Sequence, residues 1–270
     1  MSDLAAAPHE NRQMAQWFGA DAERYDRARP TYPGALVDRI VSLSPGKSFV
    51  DVGCGTGLSS RPFQAAGCTV LGVEPDARMA EVARRRGLDV EVAKFEDWDP
   101  AGRTFDAVTS GTAWHWVDPF AGAAKVAEVL VPQGLIALFD NGFELPEAVM
   151  TAQGEAYRHA MPDVKFEPPS KKDEDVEEYV EQIYAKQYVK AAEGILRTGA
   201  FSQPEELRFE WSRVCTRDEW LDQIPTQGGL NHLAEDARAR FLAYLGSAID
   251  EIGGSFTINY ATVGIAAVRR

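Results

Sequence analysis

The sequence is poor in cysteine and in positive charge. Its three cysteines, Cys54, Cys68 and Cys215, are odd in number and form no Cys-x-x-Cys pair. That count argues against a disulfide framework or a thiolate zinc site and fits a reduced, cytoplasmic setting. The net charge is −13 and the sequence pI about 4.8, so the acidic surface disfavours phosphate backbones as substrates. We therefore expect no metal and no nucleic-acid partner.

Long apolar runs are missing too. No stretch approaches the roughly 20 apolar residues that a membrane helix needs, and residues 1–10 lack the basic start and apolar centre of a signal peptide. His9, His159 and His232 form no catalytic constellation with other residues. What remains is a chain of 270 residues, 45% of them hydrophobic. It can build a large core, and we expect a monomer or weak homodimer with no membrane span.

The most informative stretch is an apolar strand at 48–52 that runs into a loop with glycine at every second position. Glycine lets the backbone turn sharply and lets a ligand sit against bare amides. Dinucleotide sites use the spacing G-x-G-x-x-G and face a pyrophosphate, whereas this loop is G-x-G-x-G, and Asp51 before it would repel a phosphate. The pattern suits a cofactor with an amino group and no phosphate, such as S-adenosyl-L-methionine. The candidate contacts in this stretch are Asp51, Gly53, Cys54, Gly55, Thr56 and Gly57.

Two further strand ends carry residues suited to such a cofactor. Glu74 ends the second apolar run, where a carboxylate can accept both ribose hydroxyls. After the third strand, Glu96 is favoured over Asp97 as the acid that accepts from the adenine amine, with a solvated acidic turn as the alternative. Met79 can line the adenine pocket or belong to the core. The candidate contacts here are Glu74, Pro75, Met79, Phe95, Glu96 and Asp97.

The fourth strand ends in small residues followed by three rings, Trp114-His115-Trp116. Such a segment at a strand's carboxyl end predicts one wall of the active site. Gly111 and Thr112 are candidate cofactor contacts, and Trp114 and Trp116 are candidate substrate contacts. His115 can act as a general base or orient the acceptor; a packed structural histidine is the alternative.

Strand and helix patterns alternate through the first half of the chain. This alternation predicts a parallel sheet with helices on both faces. The predicted strands are 48–52, 69–74, 89–93, 105–110 and 134–140, and the predicted helices are 34–43, 58–66, 76–86 and 119–130. Beyond Gly142 we predict helices at 144–160, 175–197 and 235–249, a short helix after the capping box at Thr216, and antiparallel strands around 207–211 and 256–260.

These residues resemble class I S-adenosylmethionine-dependent methyltransferases. The Tyr25…Arg29-Pro30-x-Tyr32-Pro33 opening and the His-Trp-x-Asp stretch at 115–118 are similar to the trans-aconitate-methyltransferase-like branch, which is methyltransferase type 11-like. Known members of that branch methylate small-molecule carboxylates. The resemblance covers about residues 17–142. It implies an enzyme of class EC 2.1.1 with an α/β, Rossmann-like, seven-stranded, mostly parallel sheet whose last strand is antiparallel.

The resemblance also implies that the segment before the core closes over the cofactor, with Tyr25 and Arg29 as contacts and Arg29 on the methionine carboxylate. The expected organisation is one domain with four parts: an N-terminal cover at 1–33, a cofactor-binding half at 34–142, a helical lid insertion at 143–204 and completion of the sheet at 205–270.

The predicted lid is rich in aromatic residues, which favours an apolar acceptor such as a fatty or isoprenoid acid over a dicarboxylic one. Tyr184 and Tyr188 are candidate substrate contacts, and Arg158, Lys186 or Arg197 can anchor a carboxylate. A tyrosine stripe at helical spacing is more often typical of a core helix than of a pocket.

The predicted function is methylation of a small molecule, most simply of a carboxylate oxygen. A hydroxyl, amine or carbon acceptor is the main alternative. A non-catalytic cofactor-binding protein is more remote, as is an NAD-dependent oxidoreductase, which the glycine spacing and Asp51 disfavour. The acidic pI and the absence of an N-P-P-Y-type motif after the fourth strand count against a nucleic-acid methyltransferase.

Overall fold

A computed structural model of the chain describes residues 9, 17–160, 188–227, 230 and 233–270. The described strands are β1 (Ser48–Val52), β2 (Thr69–Val73), β3 (Asp89–Glu91), β4 (Phe105–Gly111), β5 (Leu130–Glu144), β6 (Glu205–Thr216) and β7 (Ser255–Val268). They form one sheet in the order β3-β2-β1-β4-β5-β7-β6. The pairs among β1 to β5 are parallel, whereas β7 is antiparallel to both of its neighbours. The predicted Rossmann-like sheet with an antiparallel last strand is confirmed.

Helices cover the sheet. In the described part of the chain they are α1 (Ala22–Ala28), α2 (Gly34–Leu43), α3 (Ser60–Ala65), α4 (Ala77–Arg85), α5 (Pro119–Val129), α6 (Glu147–Ala160), α7 (188–197), α8 (Arg217–Gln223) and α9 (Glu235–Glu251). Short 3-10 helices lie at Phe18–Asp21, Phe95–Asp97, Trp114–Trp116 and Ile224–Gln227. Of the helix predicted at 175–197, residues 175–187 lie outside the described ranges. In the described ranges, no helix is both long and apolar enough to cross a lipid bilayer.

Two apolar layers enclose the parallel part of the sheet. Phe49 of β1 packs in a cluster with residues of α2 and α3, while Val50 and Val52 pack on the other side with residues of α5 and α7. Successive side chains of a strand point to opposite faces, so a strand covered on both faces reads as a continuous apolar run. Because apolar clusters pack on both faces of β1, the strand is fixed, and it holds the glycine loop at a rigid edge of the sheet.

A third apolar cluster lies beyond this sheet core. It joins α6 to α8, α9 and the start of β7 through residues such as Val149, Trp220, Phe241 and Ile258. Tyr157 of the predicted lid packs in this cluster, where its ring centroid lies 4.6 Å from that of Phe241. The cluster therefore draws on both sides of residue 204, and the four-part division of the chain stays a prediction.

Strand β5 is longer than the predicted 134–140. Its pairing with β7 runs from Leu135 opposite Val268 to Glu144 opposite Asn259. The prediction ended too early because Asn141 and Gly142 resemble the end of a strand, whereas pairing with β7 continues through both residues to Glu144. This extension carries the strand past the edge of the parallel sheet.

The N-terminal segment is held to the sheet's helices by buried charge. Asp26 of α1 is buried and accepts hydrogen bonds from Arg61 Nη1 at 2.8 Å and Arg86 Nε at 3.0 Å. At the other side of α1, Arg27 forms two hydrogen bonds of 2.8 Å with the Asp222 carboxylate. Helix α1 thus bridges the glycine-loop side of the sheet and α8.

The start of α8 offers a direct test of local stability. The Thr216 hydroxyl accepts from the Glu219 amide, and the Glu219 carboxylate accepts from the Thr216 amide at 2.8 Å, which forms a capping box. We expect Thr216→Ala to lower the free energy of unfolding by about 1 kcal/mol, measured by urea denaturation. Thr216→Ser keeps the hydroxyl and should cost far less. Equal stability of the alanine and serine variants would contradict a stabilising cap.

Candidate active site

A cavity of about 760 Å³ opens at the carboxyl ends of β1, β2 and β4. This is the edge at which open α/β sheets bind ligands, and the volume is in the usual range for a small-molecule site. The structure brings most of the predicted cofactor residues to its wall: Tyr25, Arg29, Gly53, Cys54, Gly55, Thr56, Glu74, Pro75, Met79, Phe95, Glu96, Gly111 and Thr112. His115 and Trp116 line the same space.

The glycine loop presents backbone rather than side chains to this cavity. Gly53 has a φ of +65°, and a Cβ at this position would lie 2.6 Å from the Cβ of Ala113. Both the conformation and the close approach therefore require glycine. The Thr56 hydroxyl, which is buried beside the loop, has no hydrogen-bond partner within the described residues. A ligand in the cavity can satisfy this hydroxyl.

Asp51 lies behind the loop and outside the cavity. It is fully buried, and its Oδ2 accepts from the Ser59 and Ser60 hydroxyls at 2.6 and 2.5 Å, while Oδ1 accepts from Thr109 at 2.9 Å. Burial raises the pKa of Asp51, against the lowering effect of these three hydroxyls. The expected direct contact with a cofactor is corrected here, since both oxygens bind protein groups. Gly57 also lies outside the cavity lining.

Glu74 reaches the cavity with a nearly buried carboxylate. Its Oε2 accepts from the Gly55 amide at 2.9 Å and its Oε1 from the Asp76 amide at 2.8 Å. Burial raises the pKa of Glu74 to about 7, although both amides act in the opposite direction. Each carboxylate oxygen can accept more than one hydrogen bond. The side chain can therefore accept from ligand hydroxyls in this fixed position.

The acidic turn after β3 separates its two carboxylates. Glu96 lines the cavity, and its Oε1 accepts from the Asp118 amide at 2.9 Å. The Asp97 side chain is 76% exposed and lies 3.8 Å from Lys94. Asp97 is thus a solvated acid outside the site, as the alternative interpretation had it, whereas Glu96 is fixed at the cavity wall.

The three ring side chains after β4 lie in different environments. Trp116 lines the cavity and meets the Phe18 ring at 6.3 Å. Trp114 is buried in the core, 6.4 Å from Phe95. The tight 3-10 turn places neighbouring residues on different sides, so the expectation that both tryptophans face the substrate is corrected for Trp114.

The predicted tyrosine contacts are not found at the cavity. Tyr188 of α7 is buried and donates its hydroxyl to Asp140 Oδ2 at 2.6 Å, so it belongs to the structural alternative. Tyr184 lies outside the described residues, as does Lys186. Of the other proposed carboxylate anchors, Arg158 lies 3.7 Å from Glu155, and Arg197 lies over the Phe120 ring at 5.0 Å. Neither of these arginines lines the cavity.

His115 is a half-buried imidazole at the cavity wall. Burial lowers its pKa, and the negative charge of Asp140 acts in the opposite direction. Because burial dominates, the neutral imidazole is favoured at pH 7. A neutral imidazole can accept a proton or a hydrogen bond from a ligand.

Several lining residues were missed in the sequence. They are Phe18, Tyr32, Asn141, Phe143, Gln223 and Gln227, among others. Tyr32 belongs to the Arg-Pro-x-Tyr-Pro opening, and its hydroxyl lies 2.8 Å from the Thr112 hydroxyl, so that motif carried a usable signal. Asn141 and Phe143 come from the unpredicted extension of β5. The two glutamines come from α8 and the turn after it, where nothing in the local pattern marks them.

A comparison with protein families agrees with this geometry. A family model described as a methyltransferase domain matches residues 50–138. Residues 50–138 are thus similar to a methyltransferase domain. The matched residues contain the glycine loop, Glu74 and the segment through His115, and the predicted resemblance to methyltransferases is confirmed.

Relatives of the methyltransferase domain cover part of the chain. An uncharacterized methyltransferase of Mycobacterium tuberculosis is 34% identical over 133 residues, which are 48% of this chain and 54% of that protein. Trans-aconitate 2-methyltransferase of Rhodococcus jostii is 29% identical over 147 residues, 52% of this chain and 56% of that protein. The chain thus spans about half the length of these curated relatives.

A solved structure extends the likeness to the whole fold. A protein of Anaeromyxobacter dehalogenans, provisionally described as a type II methyltransferase, covers 89% of this chain and 97% of its own, with a TM-score of 0.60 and 21% identity. The sheet order and the antiparallel β7 therefore belong to a fold that another chain shares.

The raised pKa of Glu74 in the methyltransferase domain predicts a pH-dependent stability. The unfolded side chain ionises near pH 4.5 and the folded one near pH 7, so the folded state holds the extra proton in between. Stability should fall as pH rises from about 4.5 to 7, by about 3 kcal/mol from this group. The difference in unfolding free energy between wild type and Glu74→Gln should show this slope in urea titrations. A difference that is constant with pH would contradict it.

Proposed function

We propose that this protein is an S-adenosylmethionine-dependent methyltransferase that acts on a small molecule, and that it methylates a carboxylate oxygen of a fatty, isoprenoid or dicarboxylic acid. The observation that carries the proposal is one cavity that joins the glycine loop and Glu74 at one end to His115 and neutral side-chain amides at the other. The methyltransferase domain and the trans-aconitate relative support it.

The residues at the loop end fit the cofactor. Glu74 offers fixed oxygens to ribose hydroxyls, and Glu96 offers an acceptor for the adenine amine. The Thr56 hydroxyl, which has no hydrogen-bond partner among the described residues, and the backbone of Gly53 suit the methionine portion of the cofactor. Arg29, whose guanidinium lies 5.3 Å from the Tyr25 ring centroid, suits the methionine carboxylate by a charge-assisted bond. When bound, the cofactor supplies a methyl group on an electrophilic sulfonium.

The protein's contribution to the reaction is position and exclusion of water. A carboxylate with a reference pKa of about 4 is already ionised at neutral pH and needs no base. Its oxygen forms a bond to the methyl carbon while the carbon–sulfur bond breaks, and the electron pair remains on sulfur. A methyl ester and a neutral thioether result without proton transfer. His115 then has only to orient the acceptor.

A second acceptor class is favoured by one observation. His115 is neutral at the cavity wall because burial lowers its pKa, and a neutral imidazole can take a proton from a hydroxyl or an amine. A phenol, with a reference pKa of about 10, benefits from such a base. The role of His115 therefore distinguishes carboxylate methylation from methylation of a hydroxyl, amine or carbon.

The first test is S-adenosylhomocysteine formation by the purified protein. The acceptor panel runs from short dicarboxylates to long fatty acids, each with its amide, and includes matched phenols and amines. We expect turnover on an acid and none on its amide. Binding of S-adenosylhomocysteine without turnover on any acid would contradict carboxyl methylation. Binding of NADH in place of S-adenosylhomocysteine would contradict a methyltransferase altogether.

Replacement of His115 tests the chemistry of the acceptor. We expect His115→Gln to retain turnover on the acid within about tenfold of wild type, since a base contributes about 100-fold or more where it is needed. The kcat for the best acceptor is measured alongside the Kd of S-adenosylhomocysteine, which serves as the control for an intact site. A loss of 100-fold or more in kcat with unchanged cofactor affinity would favour a hydroxyl, amine or carbon acceptor.

A further inference from the structure

Two glutamine side chains line the cavity with donors that have no acceptor among the described residues. Gln223, the last residue of α8, is fully buried, and Gln227 ends the 3-10 turn that follows. The Nε2 groups of both are buried and have no hydrogen-bond partner among the described residues. A buried donor without an acceptor destabilises a folded protein. Native proteins usually supply such a partner, and here a ligand in the cavity can do so.

Arg213 determines which way the Gln223 amide faces. Its Nη2 donates to Gln223 Oε1 at 2.6 Å, and a guanidinium can only donate. The amide oxygen is therefore the atom at Arg213, and the NH₂ group is the atom left for another partner. Asp222, the preceding residue, is hydrogen-bonded to Arg27, so the position of this turn is fixed by the N-terminal cover.

The charges along the cavity differ between its ends. The loop end contains Glu74, Asp76 and Glu96 together with Arg78 and Lys94, and Arg78 is paired with Asp76. The lining residues contributed by β5, α8 and the following turn are Asn141, Phe143, Gln223 and Gln227, with no carboxylate among them. The Asn141 amide is already engaged, since its Nδ2 donates to the Thr31 carbonyl at 3.1 Å and its Oδ1 accepts from Thr262 at 2.6 Å. The two glutamines are therefore the donors with capacity to spare at that end.

We propose that the Gln223 and Gln227 Nε2 groups bind the carboxylate of the methyl acceptor, an inference that rests on the proposed function above. At the glutamine end a carboxylate finds amide donors without competing acids, whereas the loop end holds three carboxylates. Two amides can hold one oxygen and leave the other to receive the methyl group. Amide donors bind an anion without the strong ion pair that a lysine or arginine would form, so product release of the neutral ester is not opposed.

The test is acid binding to the protein saturated with S-adenosylhomocysteine, by calorimetry. The probes are octanoate, benzoate and trans-aconitate, with octanamide and octylamine as the neutral and cationic comparisons. Gln227→Glu and Gln223→Glu keep the side-chain shape and replace the donor with a negative charge. Gln203→Glu makes the same change at an exposed loop position and is the matched control.

We expect at least one acid to bind wild type and the Gln203→Glu variant equally, and to bind the two cavity variants about 10- to 100-fold more weakly. The Kd of S-adenosylhomocysteine should change by less than about twofold. Octylamine should bind wild type more weakly than octanoate. If Gln223→Glu fails to fold, Gln227→Glu decides alone, because no described residue accepts from the Gln227 amide.

Two results would overturn the proposal while the methyltransferase assignment stands. One is equal acid affinity in wild type and Gln227→Glu. The other is a complex with S-adenosylhomocysteine that binds none of the three acids. Failure of the wild type to bind S-adenosylhomocysteine is a different result, because it contradicts the proposed function itself.

Discussion

The buried carboxylate of Asp51 holds the candidate site together. It receives hydroxyl hydrogen bonds from Thr109 on β4 and from Ser59 and Ser60 at the start of α3. Each bond to a charged group stabilises the fold by about 1.5–3 kcal/mol, against a desolvation penalty of several kcal/mol for the buried ion. The raised pKa of Asp51 shows that desolvation prevails. The carboxylate therefore fixes the glycine loop between two strands and a helix rather than binding a ligand.

The same edge of the sheet carries backbone strain that other contacts hold in place. Thr112 has a φ of +53°, which costs a β-branched residue about 1–3 kcal/mol. Its amide donates to the Phe139 carbonyl, and its hydroxyl bonds Tyr32 of the N-terminal cover, both at 2.8 Å. The cover is itself tied down by the Asp26 pairs with Arg61 and Arg86. Cover, strand ends and loop thus form one preorganised unit.

The sequence predicted what depends on local patterns. Strand β1 and helix α2 begin and end where expected, because an apolar run and the Pro33-Gly34 start mark them without reference to the rest of the fold. The ends of β5 were wrong because its length is set by β7, which follows more than 100 residues later. Trp114 and Trp116 could not be separated in the sequence, since a single 3-10 turn decides which ring is buried. The glutamine end was invisible because it is assembled from α8 and the β5 extension.

The electrostatics of the cavity follow from how it is assembled. Its loop end lies after parallel strands and includes Glu74, which directly follows β2. Burial raises the pKa of Glu74 to about 7, so a cationic or hydroxyl-rich ligand stabilises the ionised form there. Its other end is built by the antiparallel strand pair and α8, which contribute amides instead of charges. Hydroxyl-rich and cationic groups therefore find acceptors at the loop end, while a carboxylate finds amide donors at the other end. Because His115 lines the same cavity, it is placed to contact a ligand held there.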